Sequence, residues 1–295
     1  VSRRNAAFLP KMLQARRAAI DLLGRLQPKV VVSVGGYASM PAVFAASKLD
    51  IPVVVVSYDL RPGKASRLAA RRAAASAVAF PDSPLPRATI TGAPVRRAVL
   101  DIDRRRDRAA ARHRLGLPAD RFVIAVMGGS QGSGLLNDVT WSIVRERSGD
   151  ASIAIRHAVG ERFIDRAPAP PERGLLYQPI GYEPEMSLVY AAADVLVGRG
   201  GASTVHEVAA TGIPAILVPW VDAAEDHQTQ NVRWLSDAGG AIHLPESSVD
   251  ELPRLLSGLQ SDHERRELLS ARARELGEVH RDGALPALIE SVAGR

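Results

Sequence analysis

Three short segments carry the residue types that phosphate and sugar chemistry needs. Gly128-Gly129-Ser130-Gln131-Gly132 follows the apolar run 122–127. Residues 199–207, Arg-Gly-Gly-Ala-Ser-Thr-Val-His-Glu, follow the run 195–197. Asp226-His227-Gln228-Thr229-Gln230-Asn231 comes shortly after Val218-Pro219-Trp220. Glycines between a strand and a helix let the backbone approach a ligand closely, and the free amides of a helix start favour an anion. Ser130 adds a hydroxyl donor. The first segment is neither the G-x-G-x-x-G pattern nor a phosphate loop followed by Lys and Ser/Thr, so by itself it reads equally well as a tight turn. In the second, Glu207 lies three residues after Thr204, the spacing of a capping box. A carboxylate there can equally accept both hydroxyls of a ribose. Ser203 or Thr204 can cap the helix, and their hydroxyls are then only structural. In the third, the Gln and Asn amides suit sugar hydroxyls or a base edge. His227 and Asp226 are adjacent and do not face each other on a helix, and a merely polar helix start is the plain alternative.

The elements that must hold these segments alternate between strand and helix. The pattern predicts a helix over 11–26, strands at 30–34 and 51–56 buried on both faces, a helix over 64–75, and short strands at 77–80 and 88–91. Residues 101–111, dense in Arg and Asp, read as an interdomain linker running into a polar helix. Strands follow at 122–127, 152–155, 175–178, 195–197, 215–218 and 241–243, with helices between them and after 249. Such alternation implies parallel sheets with right-handed crossovers. The three segments then sit at the carboxyl ends of parallel strands, where open α/β sheets bind ligands. A length of 295 residues suits two domains.

Composition narrows the partners. The net charge is +6, with arginines clustered at 71–72, 96–97 and 104–106. A solvated basic face, an anionic membrane surface and phosphorylated ligands all fit that charge. No aromatics are interleaved with the arginines, so a stacking platform for single strands is not expected, nor a nucleic-acid partner. There is no cysteine, no apolar run of membrane-spanning length, no secretory leader pattern, and no Cys–His or carboxylate set with metal spacing.

Read together, the segments resemble the MurG-type transferases of glycosyltransferase family 28. Gly35-Gly36-Tyr37-Ala38-Ser39 resembles that family's GGYxSGP loop, with Met40 in place of its Gly. Residues 91–96 resemble its GNPVR segment, 128–132 with Asn137 its GGSQGxxxLN segment, 199–207 its RxGAxTxxE segment, and 226–231 its DHQxxNA segment. The resemblance implies an α/β fold of the GT-B kind: two Rossmann-like domains whose parallel sheets face a cleft. Residues 1–99 would form an acceptor-binding domain, N-terminally incomplete, and 100–283 a donor-binding domain. Residues 284–295 would form a helix that packs back on the first domain.

The implied activity is inverting transfer of N-acetylglucosamine from UDP-N-acetylglucosamine to a polyprenyl-diphosphate-linked muramyl-pentapeptide, a step of peptidoglycan synthesis. It would proceed on the cytoplasmic face of the plasma membrane with no cofactor or metal. The implied donor site comprises Arg96, Ser130, Gln131, Tyr182, Glu183, Ala202, Ser203, Thr204, Glu207, His227 and Gln228, with Glu207 on the ribose and Tyr182 and Glu183 in the loop beside the uracil. The implied acceptor site comprises Gly35, Gly36, Tyr37 and Asp59. The family's general-base histidine belongs to a glycine loop expected before residue 1, so no catalytic residue is assigned. Val56, Ser57, Tyr58 and Asp59 stand where the family has His-Glu-Gln-Asn. That departure keeps open a related transferase with another acceptor, and the missing glycine loop keeps open a donor-binding paralogue without catalysis.

Overall fold

The computed structural model describes residues 8–221 and 226–294. The chain divides into two compact units, one reaching to Pro94 and resuming at Arg281, the other running from Val95 to His280.

The first unit opens with α1 (Phe8–Leu26), β1 (Val31–Ser33), a single 3-10 turn (Tyr37–Ser39) and α2 (Met40–Lys48). It continues with β2 (Val53–Ser57), α3 (Lys64–Ala70), β3 (Ala75–Val78) and β4 (Ala88–Ile90). The strands form a parallel sheet in the order β1-β2-β3-β4. The valine run of β2 is buried throughout because it lies inside the sheet. Pro52 has no N–H to donate, and its carbonyl accepts from Val31 N at 2.9 Å, so pairing begins at Val53. Two expectations are corrected. Among the described residues β1 pairs with β2 alone, and there the run 30–34 is not buried on both faces: Val32 is 41% exposed and Val34 63%. The helix expected over 64–75 stops at Ala70, and the strand expected at 77–80 starts at Ala75. Ala74 N donates to Val53 O at 2.7 Å, and Ala75 pairs with Val54, so ladder pairing overrides the helix preference of the alanines.

The second unit contains α4 (Arg97–Leu100), α5 (Arg104–Leu115), β5 (Phe122–Met127), α6 (Gly134–Glu146), β6 (Ile153–Ala158) and β7 (Leu176–Ile180). It goes on with α7 (Met186–Ala192), β8 (Val195–Gly198), α8 (Ala202–Thr211), β9 (Ala215–Leu217) and α9 (His227–Ser236). β10 (Ile242–His243), α10 (Leu252–Ser261) and α11 (His263–Gly277) complete it. Among the described residues its six parallel strands run β10-β9-β8-β5-β6-β7. Alternate residues of β5 serve opposite faces: Val123, Ala125 and Met127 join one core cluster, Ile124 and Val126 the other. Both faces are covered, as a parallel sheet requires.

The stretch 101–111, expected as a linker running into a polar helix, enters α5 at Arg104. The Asp103 side chain caps α5, accepting from Arg105 N at 2.9 Å and Arg106 N at 3.1 Å, and Gly116 ends it with φ +63°. Residues 95–99 group with this unit, since Val99 lies in its core. At the amino ends of the strands, Asp194 binds the backbone N–H of Val123 at 2.7 Å, Arg112 at 2.8 Å and Arg108. Arg112 also donates to the carbonyls of Ala192, Pro118, Ala119 and Arg121. After His280 the chain rejoins the first unit as α12 (Ala284–Ala293), which buries Val292 among Val54, Val56, Ala75 and Ala77.

Candidate functional site

From β5 the chain winds through β6 and β7 on one side, then crosses to β8, β9 and β10 on the other. The direction reverses between β5 and β8, whose last residues Met127 and Gly198 are paired. Ligands of open α/β sheets bind at the carboxyl end of such a switch point. The two glycine segments leave from there. Gly132 has φ +70°, and a Cβ on it would lie 2.1 Å from Val159 O. A Gly132→Ala chain should therefore be destabilised by more than the ~1–2 kcal/mol that the left-handed backbone alone costs an L-residue. Urea denaturation measures it, and an unchanged midpoint would contradict this account of the loop.

Side chains stitch the loops together. Ser133 caps α6 and accepts from Arg199 Nη2 at 2.8 Å. Arg199 also donates to Val218 O at 3.2 Å and to Glu246. Gln228 Oε1 accepts from Gly200 N at 3.1 Å and Trp220 N at 3.0 Å. Arg199 was not among the expected site residues. Its signal was its place as the first residue of the segment that resembles RxGAxTxxE.

The capping-box reading of Glu207 is overturned. The N-cap of α8 is Gly201, with no side-chain cap bond, so the first-turn amides at Ala202, Ser203 and Thr204 are not occupied by a capping side chain. Glu207 instead accepts from Arg96 (Nη2 at 3.2 Å, Nε at 3.3 Å) through Oε1 and from the Tyr190 hydroxyl at 2.7 Å through Oε2. Tyr190 is fully buried. Burial, and after it the Glu207 carboxylate, push its pKa well above the ordinary value, so it stays a donor. Arg96 is largely exposed, so that ion pair is worth at most about 1 kcal/mol and is easily exchanged for a ligand.

The other expected residues fall as follows. Ser130 and Gln131 are exposed on the loop after β5, Ala202 is buried, Ser203 exposed and Thr204 half-buried. Tyr182 is exposed. Glu183 is buried, with Oε2 on Arg156 Nε at 2.6 Å and Oε1 accepting from Glu185 N at 3.0 Å, so it shapes the loop after β7. His227 is half-buried, and its Nδ1 has no partner among the described residues. In the first unit, Gly35 (φ +90°) and Gly36 (φ +75°) turn the chain after β1, and Ser39 Oγ donates to Gly36 O at 2.9 Å. A Cβ on Gly35 would meet Ser66 Oγ at 2.8 Å. Tyr37 is exposed, and Asp59 follows β2, so both stand at the carboxyl rim of that sheet. Among the described residues no group of three His, Cys, Asp or Glu is placed to hold a metal ion.

Beneath the first glycine loop lies a buried polar chain. Trp141 Nε1 donates to Tyr177 OH at 3.0 Å, Tyr177 OH meets His157 Nδ1 at 3.1 Å, His157 Nε2 meets Asn137 Oδ1 at 3.0 Å, and Asn137 Nδ2 donates to Val159 O at 3.0 Å. These partners assign His157 as neutral, with its proton on Nε2. Burial holds its pKa down at about 3. The unfolded chain binds that proton near pH 6.5 and the folded one does not, so the stabilisation is complete above 6.5 and is lost as pH falls toward 3. The slope is up to about 1.4 kcal/mol per pH unit. Urea midpoints at pH 7.5 and 5.5 should differ more in the wild type than in His157→Gln, and equal differences would refute the assignment.

Comparison with known proteins places this geometry. Residues 123–284 match the Glycosyltransferase family 28 C-terminal domain and residues 1–78 the Glycosyltransferase family 28 N-terminal domain. A UDP-N-acetylglucosamine--N-acetylmuramyl-(pentapeptide) pyrophosphoryl-undecaprenol N-acetylglucosamine transferase of Nocardioides sp. is 38% identical over 269 residues, covering 90% of this chain and 73% of the relative. The protein of the same description from Cutibacterium acnes is 36% identical over 280 residues, covering 92% and 74%. The crystal structure of Acinetobacter baumannii MurG superposes with a TM-score of 0.70 at 25% identity, covering 97% of this chain and 79% of that one. Two parallel α/β units, a switch point flanked by glycine loops and these matches over nearly the whole chain agree: it belongs to glycosyltransferase family 28, among its MurG-type members.

Proposed function

We propose that the chain transfers N-acetylglucosamine from UDP-N-acetylglucosamine to a polyprenyl-diphosphate-linked muramyl-pentapeptide, with inversion at the sugar's anomeric carbon. The observation that carries this reading is Glu207, a carboxylate held by buried Tyr190 and exposed Arg96 one turn beyond the uncapped amides of α8. Glu207 takes the two ribose hydroxyls, and Arg96 moves from it toward the diphosphate. That diphosphate lies against the α8 amides at Ala202, Ser203 and Thr204, with Ser130 and Gln131 closing over it. Tyr182 flanks the uracil on the loop that Glu183 fixes. His227 and the Gln228 amide nitrogen face the sugar, while Gln228 Oε1 keeps the loops in place.

In the reaction an acceptor hydroxyl attacks the anomeric carbon as the bond to the UDP oxygen breaks, and the acceptor proton is released. The negative charge collects on the leaving diphosphate, where the fixed amides of α8 and the Arg96 guanidinium stabilise it. Gly35, Gly36, Tyr37 and Asp59 bind the acceptor on the first unit. The acceptor's lipid implies work at the cytoplasmic face of the plasma membrane. The exposed Arg71 and Arg72 beyond α3 suit anionic headgroups there, and among the described residues no helix is long and apolar enough to cross a membrane.

Calorimetric titration with UDP and UDP-N-acetylglucosamine, followed by product analysis over a panel of acceptors, tests the proposal. Binding plus turnover on the muramyl lipid supports it, and absence of uridine nucleotide binding refutes it. One observation favours a second acceptor class: Val56 and Ser57 are buried within β2, so only Tyr58 and Asp59 of that four-residue segment reach the rim. Turnover on another lipid-linked or small acceptor alone would select that reading.

A further inference from the structure

The arginines at 104–106 and their neighbours play no part in the donor site. Within the second unit, Arg104, Arg105 and Arg108 near the start of α5, with His263, Arg266 and Arg274 of α11, line a cleft of about 540 Å³. Asp194 and Pro214, the residues directly before β8 and β9, also line it. The cleft therefore opens at the amino ends of the strands, on the rim opposite the glycine loops.

Five guanidiniums in this cleft face two carboxylates, Asp194 and Glu267. Asp194 is already shared between Arg108 and the buried Arg112. Arg104 donates to Tyr190 O and, at 2.8 Å, to Ala193 O, at the carboxyl end of α7. Arg266 donates to Leu259 O and, at 3.1 Å, to Gln260 O. Those carbonyls orient both guanidiniums without neutralising them. Arg105 reaches Glu267 only at 3.6 Å. Among the described residues Arg274 has no hydrogen bond or ion pair, and its stem lies against Gly212, where a Cβ would meet it at 2.6 Å. Burial, and the like charges of Arg108 and Arg274, hold Arg104 down at about 10 despite Asp194. Like charges gathered in a concave, partly desolvated place raise the local potential for an anion. Guanidinium forks match the paired oxygens of phosphates.

We propose that this cleft is a second anion site that takes a ligand bearing a phosphate or diphosphate group, separate from the donor loops. Arg104 and Arg266, held rigid by backbone carbonyls, supply the fixed field. Arg105 and Arg274, the more loosely held pair, close on the ligand. The phosphate comes either from an anionic lipid headgroup or from a soluble compound.

The test titrates inorganic pyrophosphate into the 295-residue chain at saturating UDP, at low and high salt, beside an Arg105→Gln/Arg274→Gln double variant. Neither replaced side chain belongs to the donor loops, so UDP affinity should stay the same. Pyrophosphate should bind the wild type, and the double variant about tenfold more weakly or worse, in line with the loss of two charge-assisted contacts. Salt should weaken the binding. No pyrophosphate binding, or equal binding by both chains, would overturn the site. Phosphatidylglycerol and phosphatidylcholine vesicles then separate the sources. Sedimentation with the former alone, lost in the double variant and displaced by pyrophosphate, identifies a lipid headgroup. Pyrophosphate binding without variant-sensitive sedimentation identifies a soluble phosphate compound.

Discussion

A Glu207→Ala chain should bind UDP about 5- to 150-fold more weakly than the wild type, a loss of about 1–3 kcal/mol. Two costs combine. The ribose hydroxyls lose their acceptor, and the Tyr190 hydroxyl, buried and kept protonated, loses its partner at 2.7 Å. Glu207→Gln separates these costs, because an amide oxygen can still accept from Tyr190. Tyr190→Phe should weaken UDP binding less, since the Glu207 carboxylate itself remains to accept from the ribose. The same titration with thymidine diphosphate, which lacks the ribose 2′-hydroxyl, should show a smaller penalty for Glu207→Ala. An equal loss for both nucleotides would mean that Glu207 acts on the fold of α8 and not on the ribose.

Asp194→Ala should cost about 3–5 kcal/mol of stability, the range for breaking a buried ion pair from one side. The change leaves the Arg112 guanidinium, 2% exposed, among backbone carbonyls without its ion-pair partner. It also removes the acceptor for the Val123 amide near the start of β5. Against a typical total of roughly 5–15 kcal/mol this is a large fraction. Asp194→Asn keeps an acceptor for Val123 and should lose less. A double replacement, Arg112→Met with Asp194→Leu, should recover part of the loss, because no buried charge is then stranded. Urea unfolding at neutral pH measures all three, and a shift under about 0.5 kcal/mol for Asp194→Ala would contradict the pairing.

Much of this was readable from local chemistry. The alternation of short β-branched runs with helical stretches announced two parallel-sheet units, because a strand buried on both faces must be apolar throughout and needs a crossover helix to reach its parallel neighbour. The glycine segments were found at the ends of the right strands, because their requirement for positive φ or close approach is a property of residue type. What stayed ambiguous were the polar side chains. Thr204 and Glu207 have capping-box spacing, and only the placement of Gly201 as the N-cap of α8, with Tyr190 and Arg96 brought against Glu207 from elsewhere, shows that the box does not form. Glu183 is adjacent in sequence to Tyr182, yet its carboxylate is taken by Arg156, 27 positions earlier.

Local sequence was enough to place strands and turns over most of the chain, and to put glycine loops at the carboxyl ends of strands. These follow from hydrophobicity, backbone freedom and spacing, all of which act over a few residues. Packing at long range made 75–78 a strand although its alanines favour helix, and brought the loops after β5 and β8 to one switch point. It also decided that Arg199 and Gln228 bind those loops together and that arginines from α5 and α11 share one cleft. The reason is the same in each case. A hydrogen bond or a charge pair depends on which distant groups the packed sheet brings within about 3 Å, and no local pattern records that distance.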